Sequence, residues 1–242
     1  MMMTLIEVKS LSTQFGSQTV HKNLNLSVEE GEVLGIVGGS GSGKSVLMRY
    51  MIGLEPPQKG KINYYIPGGF HPIQIGVLFQ HGALLSSMSV MENIMTPLLE
   101  VAKLSVDIAR NLALLKIELV GLPMDTAFKS PAELSGGMIK RAALARSLAL
   151  DPPILFLDEP TSGLDPISAA AFDKLIKELQ KNLNITVVMI THDLDSLVQI
   201  CDRIAVLVDH KVLIGSVAEI VKIDHPWIKE YFHGSRGERY FR

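Results

Sequence analysis

Cysteine is nearly missing from this chain. Cys201 is the only one, so neither an internal disulfide nor a paired-cysteine metal site can form. Its neighbours Val198, Ile200 and Ile204 are apolar, and it reads as a core residue. An excess of one charge is lacking too. Lysine and arginine number 23 against 25 aspartates and glutamates, a net charge of -2, which removes the main electrostatic ground for nucleic acid as a partner. Nor is there a long hydrophobic run. Ile62 to Met91 is a stretch of 30 residues without Asp, Glu, Lys or Arg, but Pro67, Gly68, Gly69, Pro72, Gln74 and Gln80 interrupt it. A membrane-spanning helix needs about 20 largely apolar residues in a row. The neutral stretch suits either a surface covered by a partner or buried strands joined by an uncharged loop. The opening MMMTLIEVKS has no basic segment leading into an apolar run. Nothing there resembles a secretory signal, and residence in the cytoplasm is the expectation.

What is present is a hydrophobic content of 47% over 242 residues, enough for one compact body with two lobes. Repeats and low-complexity tracts are absent. Apolar runs at Val33–Val37, Ile154–Leu157, Thr186–Ile190 and Ile204–Val208 predict strands buried on both faces, the pattern of a parallel sheet. Polar and apolar residues alternate from Leu5 to Leu26, which predicts antiparallel strands beside that core, and Met88 to Val120 reads as mostly helical. Ile167, Ala171, Leu175, Leu179 and Leu183 predict the buried face of a helix, capped by Asp165 with Pro166 at its first position. After Gly234 the tail SRGERYFR has no apolar period and is expected to leave the globular body.

Three motifs carry chemistry. Gly38-Gly-Ser-Gly-Ser-Gly-Lys-Ser45 matches the phosphate-binding loop completely, between a strand-like run and a helical pattern. Glycines at 38, 39, 41 and 43 let backbone N–H groups wrap phosphate oxygens, with Ser40 and Ser42 between them and Val46 opening the helix behind. Lys44 is expected to hold the outer phosphates and Ser45 to coordinate Mg²⁺. Ile154-Leu-Phe-Leu-Asp-Glu159 brings two carboxylates to a strand's carboxyl end. Asp158 is the expected metal ligand and Glu159 the general base; taken alone, two such acids would also fit a solvated strand end. Leu134-Ser-Gly-Gly-Met138 then adds a second glycine-bearing helix start.

With that third motif the chain resembles ABC transporter ATP-binding subunits along nearly its full length. The resemblance includes Gln80 in VLFQHG, Asp165 in TSGLDP, His192 in VMITHD, and Phe15 before Gly16. It implies an α/β fold: a P-loop NTPase core with a mostly parallel sheet, an antiparallel β subdomain, and a helical subdomain at about 85–150 inserted in an ATPase domain of residues 1–234, followed by an extension at 235–242. It implies ATP as the nucleotide, stacked on Phe15 and held by residues 38–46. It also implies Ser135, Gly136, Gly137 and Asp165 acting on the ATP of a second copy, Gln80 as a metal contact where the lobes meet, and His192 at the γ-phosphate. Glu159, His192, Gln80 and Lys44 form the implied catalytic set.

Two phrases, FQHGALLSSMSVMENIMTPL at 79–98 and ELSGGMIKRAALARSLAL at 133–150, look like the ATPases of Mla-type phospholipid transporters. Met138 stands where many ABC ATPases have Gln and fits that subgroup. The resemblance then implies the cytoplasmic face of a bacterial inner membrane, a permease dimer (MlaE-like), an Mce-domain lipid-binding protein (MlaD-like) and sometimes a STAS-domain partner (MlaB-like). Tyr240, Phe241 and Arg242 would either dock on a neighbouring subunit or form a disordered end. Competing readings are the ATPase of an amino-acid, peptide or metal transporter, a soluble ABC ATPase without a permease, and a nucleotide-sensing switch.

Overall fold

The computed structural model describes residues 3–66, 71, 74–234, 237 and 239–241. The chain divides into two compact units, residues 1–70 with 186–242, and residues 71–185.

In the first unit, strands β1 (Thr4–Phe15) and β2 (Gln18–Glu29) form an antiparallel hairpin, closed where Phe15 faces Gln18 across a turn in which Gly16 takes φ 57°. Strand β3 (Val33–Gly38) leads into helix α1 (Lys44–Met51), and β4 (Lys59–Tyr64) returns to pair with β1, giving the order β2-β1-β4. The alternation read between Leu5 and Leu26 therefore does mark antiparallel strands.

The second unit begins with β5 (Ile75–Leu78), which pairs in parallel with β6 (Ile154–Asp158). Between them run helices α2 (Val90–Glu100), α3 (Val106–Leu119) and α4 (Gly136–Ser147), each opened by a serine cap: Ser89, Ser105 and Ser135. These caps satisfy amides that a helix start leaves without intrahelical partners. Helix α5 (Pro166–Leu183) follows β6, with Asp165 as its cap.

The face of α5 corrects the sequence expectation. Ile167 is 83% exposed, Ala171 and Leu183 are exposed as well, and the buried side is Phe172, Ile176 and Leu179. A strict four-residue step overshoots each turn by about 40°, so the predicted stripe winds around the helix. Spacings of four and three residues, as in 172, 176 and 179, hold one direction.

The chain then re-enters the first unit with β7 (Thr186–Ile190), helix α6 (Leu194–Ile200), β8 (Arg203–Val208) and β9 (Lys211–Gly215). Strand β3 lies between β7 and β8 and parallel to both, Val33 facing Val187 and Leu34 facing Arg203. Strand β9 runs antiparallel to β8 through Asp209 and His210, whose φ values of 49° and 63° match the primed hairpin turn that suits twisted strands. Cys201 is half-buried rather than core. It packs against the cluster of Val37, Leu197 and Ile204, and a Cβ on Gly35 of β3 would stand 2.9 Å from its Sγ, so the absent side chain lets the thiol lie against the face of this central strand.

Helices α7 (Val217–Ile220) and α8 (Pro226–His233) complete this unit. Beyond them the tail does not leave the body. Gly237 takes a turn so close to the Phe232 carbonyl that no Cβ would fit, and Phe241 packs edge-on against Phe232 with ring centroids 5.7 Å apart. Tyr240 and Phe241 join the cluster around Ile228 and Phe232. Two aromatics suffice to hold a segment that has no helical or strand period. Arg242 lies outside the described residues.

Candidate active site

The candidate residues divide between the two units. In the first, the loop at 38–43 takes its shape from its glycines. Gly41 and Gly43 have φ of 75° and 94°, where a side chain is strained. A Cβ on Gly43 would collide with Val20 and His21, and one on Gly38 would stand 2.7 Å from both the Leu207 carbonyl and Ser42 Oγ. Lys44 arches over this loop, its Nζ donating to the carbonyls of Gly38 and Gly39 at 2.8 and 3.0 Å. Ser42 Oγ is buried without a hydrogen-bond partner. Ser40, Gly41 and Ser45 are exposed, Gly39 and Val46 half-buried. A glycine cradle at a helix start, holding an orphaned hydroxyl and spanned by an ammonium, fits a phosphate chain.

His192 comes from the strand beside that loop. Ile36 of β3 faces Ile190 of β7, so both strands deliver their loops at the carboxyl edge, where ligands bind in such sheets. The exposed His192 is fixed on both sides. The Asp193 N–H donates to Thr191 Oγ1 at 3.0 Å, the Asp193 carboxylate caps α6, and the His192 carbonyl accepts from Tyr231 Oη at 3.0 Å. Phe15 is 50% exposed at the end of β1, on the antiparallel sheet, with ring surface open for stacking.

In the second unit β6 ends at Asp158, and Glu159 takes φ 45°. Residues with side chains seldom enter that region, and when they do it is often at functional sites. The turn aims the Glu159 carboxylate at Gln80, whose Nε2 donates to Oε2 at 3.1 Å and approaches Ser162 Oγ at 3.5 Å. Gln80 and Glu159, 79 residues apart, are thus brought together.

Behind them stands a residue the motif reading passed over. Lys140 is only 5% exposed and donates to the backbone carbonyls of both Gln80 and Glu159, the latter at 3.1 Å. Burial lowers its pKa, while Glu159 and Asp158 nearby oppose that shift. Arg146, farther along the same helix, donates to the carbonyls of Ala83 and Gly82 at 2.6 and 3.0 Å. Three cations, Lys140, Arg141 and Arg146, inside the alanine-rich helix IKRAALARS are a readable signal, because such a helix buries most of its surface.

Ser135 caps that helix, its Oγ accepting from the Met138 N–H at 3.3 Å, and Gly136 is exposed beside it with Gly137 half-buried. Asp165 is engaged in its own helix: it accepts from the amides of Ile167 and Ser168 and from the Ser168 hydroxyl at 2.6 Å, which holds its carboxyl below the usual range. Among the described residues no group of three or more His, Cys, Asp or Glu forms a metal cluster. One hydroxyl, one carboxylate and phosphate oxygens are instead the hard donors that Mg²⁺ accepts, and Ser45 and Asp158 are of that kind.

The family model for ABC transporters matches residues 21–162. The chain belongs to the ABC transporter family. Its relatives include MlaF of Haemophilus influenzae, an intermembrane phospholipid transport ATP-binding protein, 38% identical over 224 residues that cover 89% of this chain and 84% of that one. The Escherichia coli K12 protein of that name is 34% identical, covering 95% and 89%. The mkl protein of Mycobacterium leprae, a probable ribonucleotide transport ATP-binding protein, is 37% identical, covering 96% and 69%. Among solved structures, cbiO1 from Clostridium perfringens, part of the ABC transporter complex cbiONQ, superposes with TM-score 0.80 at 30% identity, covering 98% of this chain and 93% of that one. A dimeric cassette in a post-hydrolysis state with ADP and Pi gives TM-score 0.77 at 30% identity over 88% and 99%. The α/β architecture is that of an ABC cassette, and the chain is an ATP-binding and ATP-hydrolysing subunit of an ABC transporter. Cassettes of this family work in pairs with a membrane permease. Among the described residues no helix is long and apolar enough to cross a membrane.

Proposed function

We propose that this cassette powers phospholipid transport between membranes, as a peripheral subunit on the cytoplasmic face of a bacterial inner membrane. The observation that carries the reading is the likeness to MlaF from two organisms over 89% and 95% of this chain, joined by the Mla-type phrases around Gln80 and Ser135. The partners are a second copy, an MlaE-like permease dimer, an MlaD-like Mce-domain protein and an MlaB-like STAS-domain protein. A second reading, transport of nucleotide-like solutes, is favoured by the likeness to mkl proteins.

At the site, Phe15 stacks the adenine and the glycine loop wraps the phosphates. Lys44 exchanges its loop carbonyls for phosphate oxygens. Ser45, Asp158 and Gln80 would hold Mg²⁺, which when bound neutralises charge on the phosphates. Glu159 takes the proton of the attacking water while the Gln80 amide orients its carboxylate. His192 contacts the γ-phosphate, and Ser135, Gly136, Gly137 and Asp165 of one copy close over the ATP of the other, so ATP stabilises the closed pair by bridging it. The domain is residues 1–234, with helices inserted at about 85–150 and an extension at 235–242.

Tagged protein purified from detergent-solubilised membranes, with mass spectrometry of its partners and bound lipid, tests the transport reading. An Mla-type permease, an Mce-domain chain and phospholipid are expected; a solute permease without lipid overturns it. At the site, Lys44→Ala weakens nucleotide binding, whereas Glu159→Gln binds ATP and stalls with the pair closed. Normal turnover by Glu159→Gln removes the assigned base.

A further inference from the structure

The C-terminal helix α8 touches the first unit's nucleotide loop and the loop that carries His192 at once. Trp227 and Tyr231, one helical turn apart, stack with ring centroids 4.7 Å apart and planes 13° from parallel. A Cβ on Gly39 would lie 3.5 Å from Trp227 Nε1, so the indole borders the loop backbone. One turn later Tyr231 Oη donates to the His192 carbonyl at 3.0 Å. Beneath them Ile228 and Phe232 are buried in the same cluster as Val37, the residue before the loop. The helix cannot easily turn away. Its cap His225 accepts from the Trp227 amide at 3.2 Å, while its Nε2 lies 3.1 Å from Asp209. Tyr240 and Arg239 of the tail both reach Asp195, in the first turn of the helix that follows His192.

The Tyr231 hydroxyl bonds to the residue assigned to the γ-phosphate. We infer that Trp227 and Tyr231 are positioning residues for ATP hydrolysis, Trp227 supporting the loop at Gly39 and Tyr231 setting the backbone from which His192 projects. The inference rests on the roles assigned above to that loop and to His192. It makes α8 part of the nucleotide machinery, although no motif extends beyond Asp193.

The test uses full-length chain in the assembly recovered from membranes, measuring kcat and KM for ATP and the thermal midpoint without nucleotide. Tyr231→Phe keeps the ring stack and loses only the hydroxyl. It is expected to lower kcat about three- to tenfold, the range of one hydrogen bond, with KM and midpoint unchanged. Trp227→Phe is expected to raise KM several-fold. His192→Ala is run beside them. An unchanged kcat for Tyr231→Phe where His192→Ala is inactive overturns the inference, as does a kcat loss that only follows a lowered midpoint. Normal turnover by His192→Ala instead removes the histidine's assigned role, so the two failures are distinct.

Discussion

Lys140 and Glu159 are joined through the backbone: the ammonium donates to the Glu159 carbonyl at 3.1 Å while the Glu159 carboxylate accepts from Gln80. The helix that starts at Ser135 therefore holds the candidate base from behind and, through the Gln80 carbonyl, also holds the residue orienting it from in front. Movement of this helix would be felt at the carboxylate without any side chain of the LSGG turn touching it.

Lys140→Met tests this brace. It removes the ammonium from the Gln80 carbonyl and one of two donors from the Glu159 carbonyl, which also accepts from the Ser162 N–H at 3.2 Å, and costs about 1–2 kcal/mol of unfolding free energy. Loosening Gln80 and Glu159 is expected to lower kcat on the order of tenfold. Urea unfolding and steady-state hydrolysis check both. A variant that loses stability but keeps kcat would make Lys140 a packing residue only.

His21 makes the first unit sensitive to mild acid. It is buried behind Gly43, with Nδ1 3.1 Å from Thr13 Oγ1 and Nε2 facing the Gly43 backbone. Burial pushes its pKa below the ordinary value of 6.5. The unfolded chain then binds the proton more readily, so this contribution to stability is complete above 6.5 and is lost as pH falls through the folded value. Thermal midpoints at successive pH values from neutral downward should drop more steeply for the parent than for His21→Leu. Parallel curves would rule this out.

Gly43 shares that contact. Gly43→Ala combines a strained φ with a collision against His21 and Val20, and is expected to cost about 2 kcal/mol and to abolish nucleotide binding. In a His21→Ala background part of the stability returns while binding does not. A double-mutant cycle in thermal unfolding, with fluorescent-nucleotide titration, separates the two effects.

The tail prediction concerns Phe241. Its edge-on contact with Phe232 is worth about 1 kcal/mol, so Phe241→Ala should lower the unfolding free energy by that amount. No loss would mean that the tail is unpacked in solution.

What could be read in advance were the positions whose chemistry demands a spacing. Gly38 to Ser45, Asp158 with Glu159, and Ser135 to Gly137 announce themselves because backbone approach and carboxylate placement admit few residue types. The buried strands were equally plain, since Val33–Val37 and Thr186–Ile190 are apolar on both faces. The side of α5 that is buried was not, because Ala171 and Leu175 are as apolar as the neighbours that pack. Lys140 gave a weak signal and Tyr231 none, for each acts through a carbonyl that every residue possesses. The left-handed turn at Glu159 was invisible for the same reason: nothing in a glutamate reports its φ.

The first unit is discontinuous, and this sets an order on its assembly. Strand β3, which carries the nucleotide loop, finds its neighbours only in β7 and β8, and α8 completes the cluster beneath it. A ribosome adding about 5–20 residues per second has long released the loop before its supports exist. Residues 71–185, contiguous and carrying both β5 and β6, can condense first, while β3 waits on long-range pairing that folds slowly. Chains that stop before α8 keep every phosphate-binding residue yet should emerge as clients of chaperones rather than as weaker ATPases.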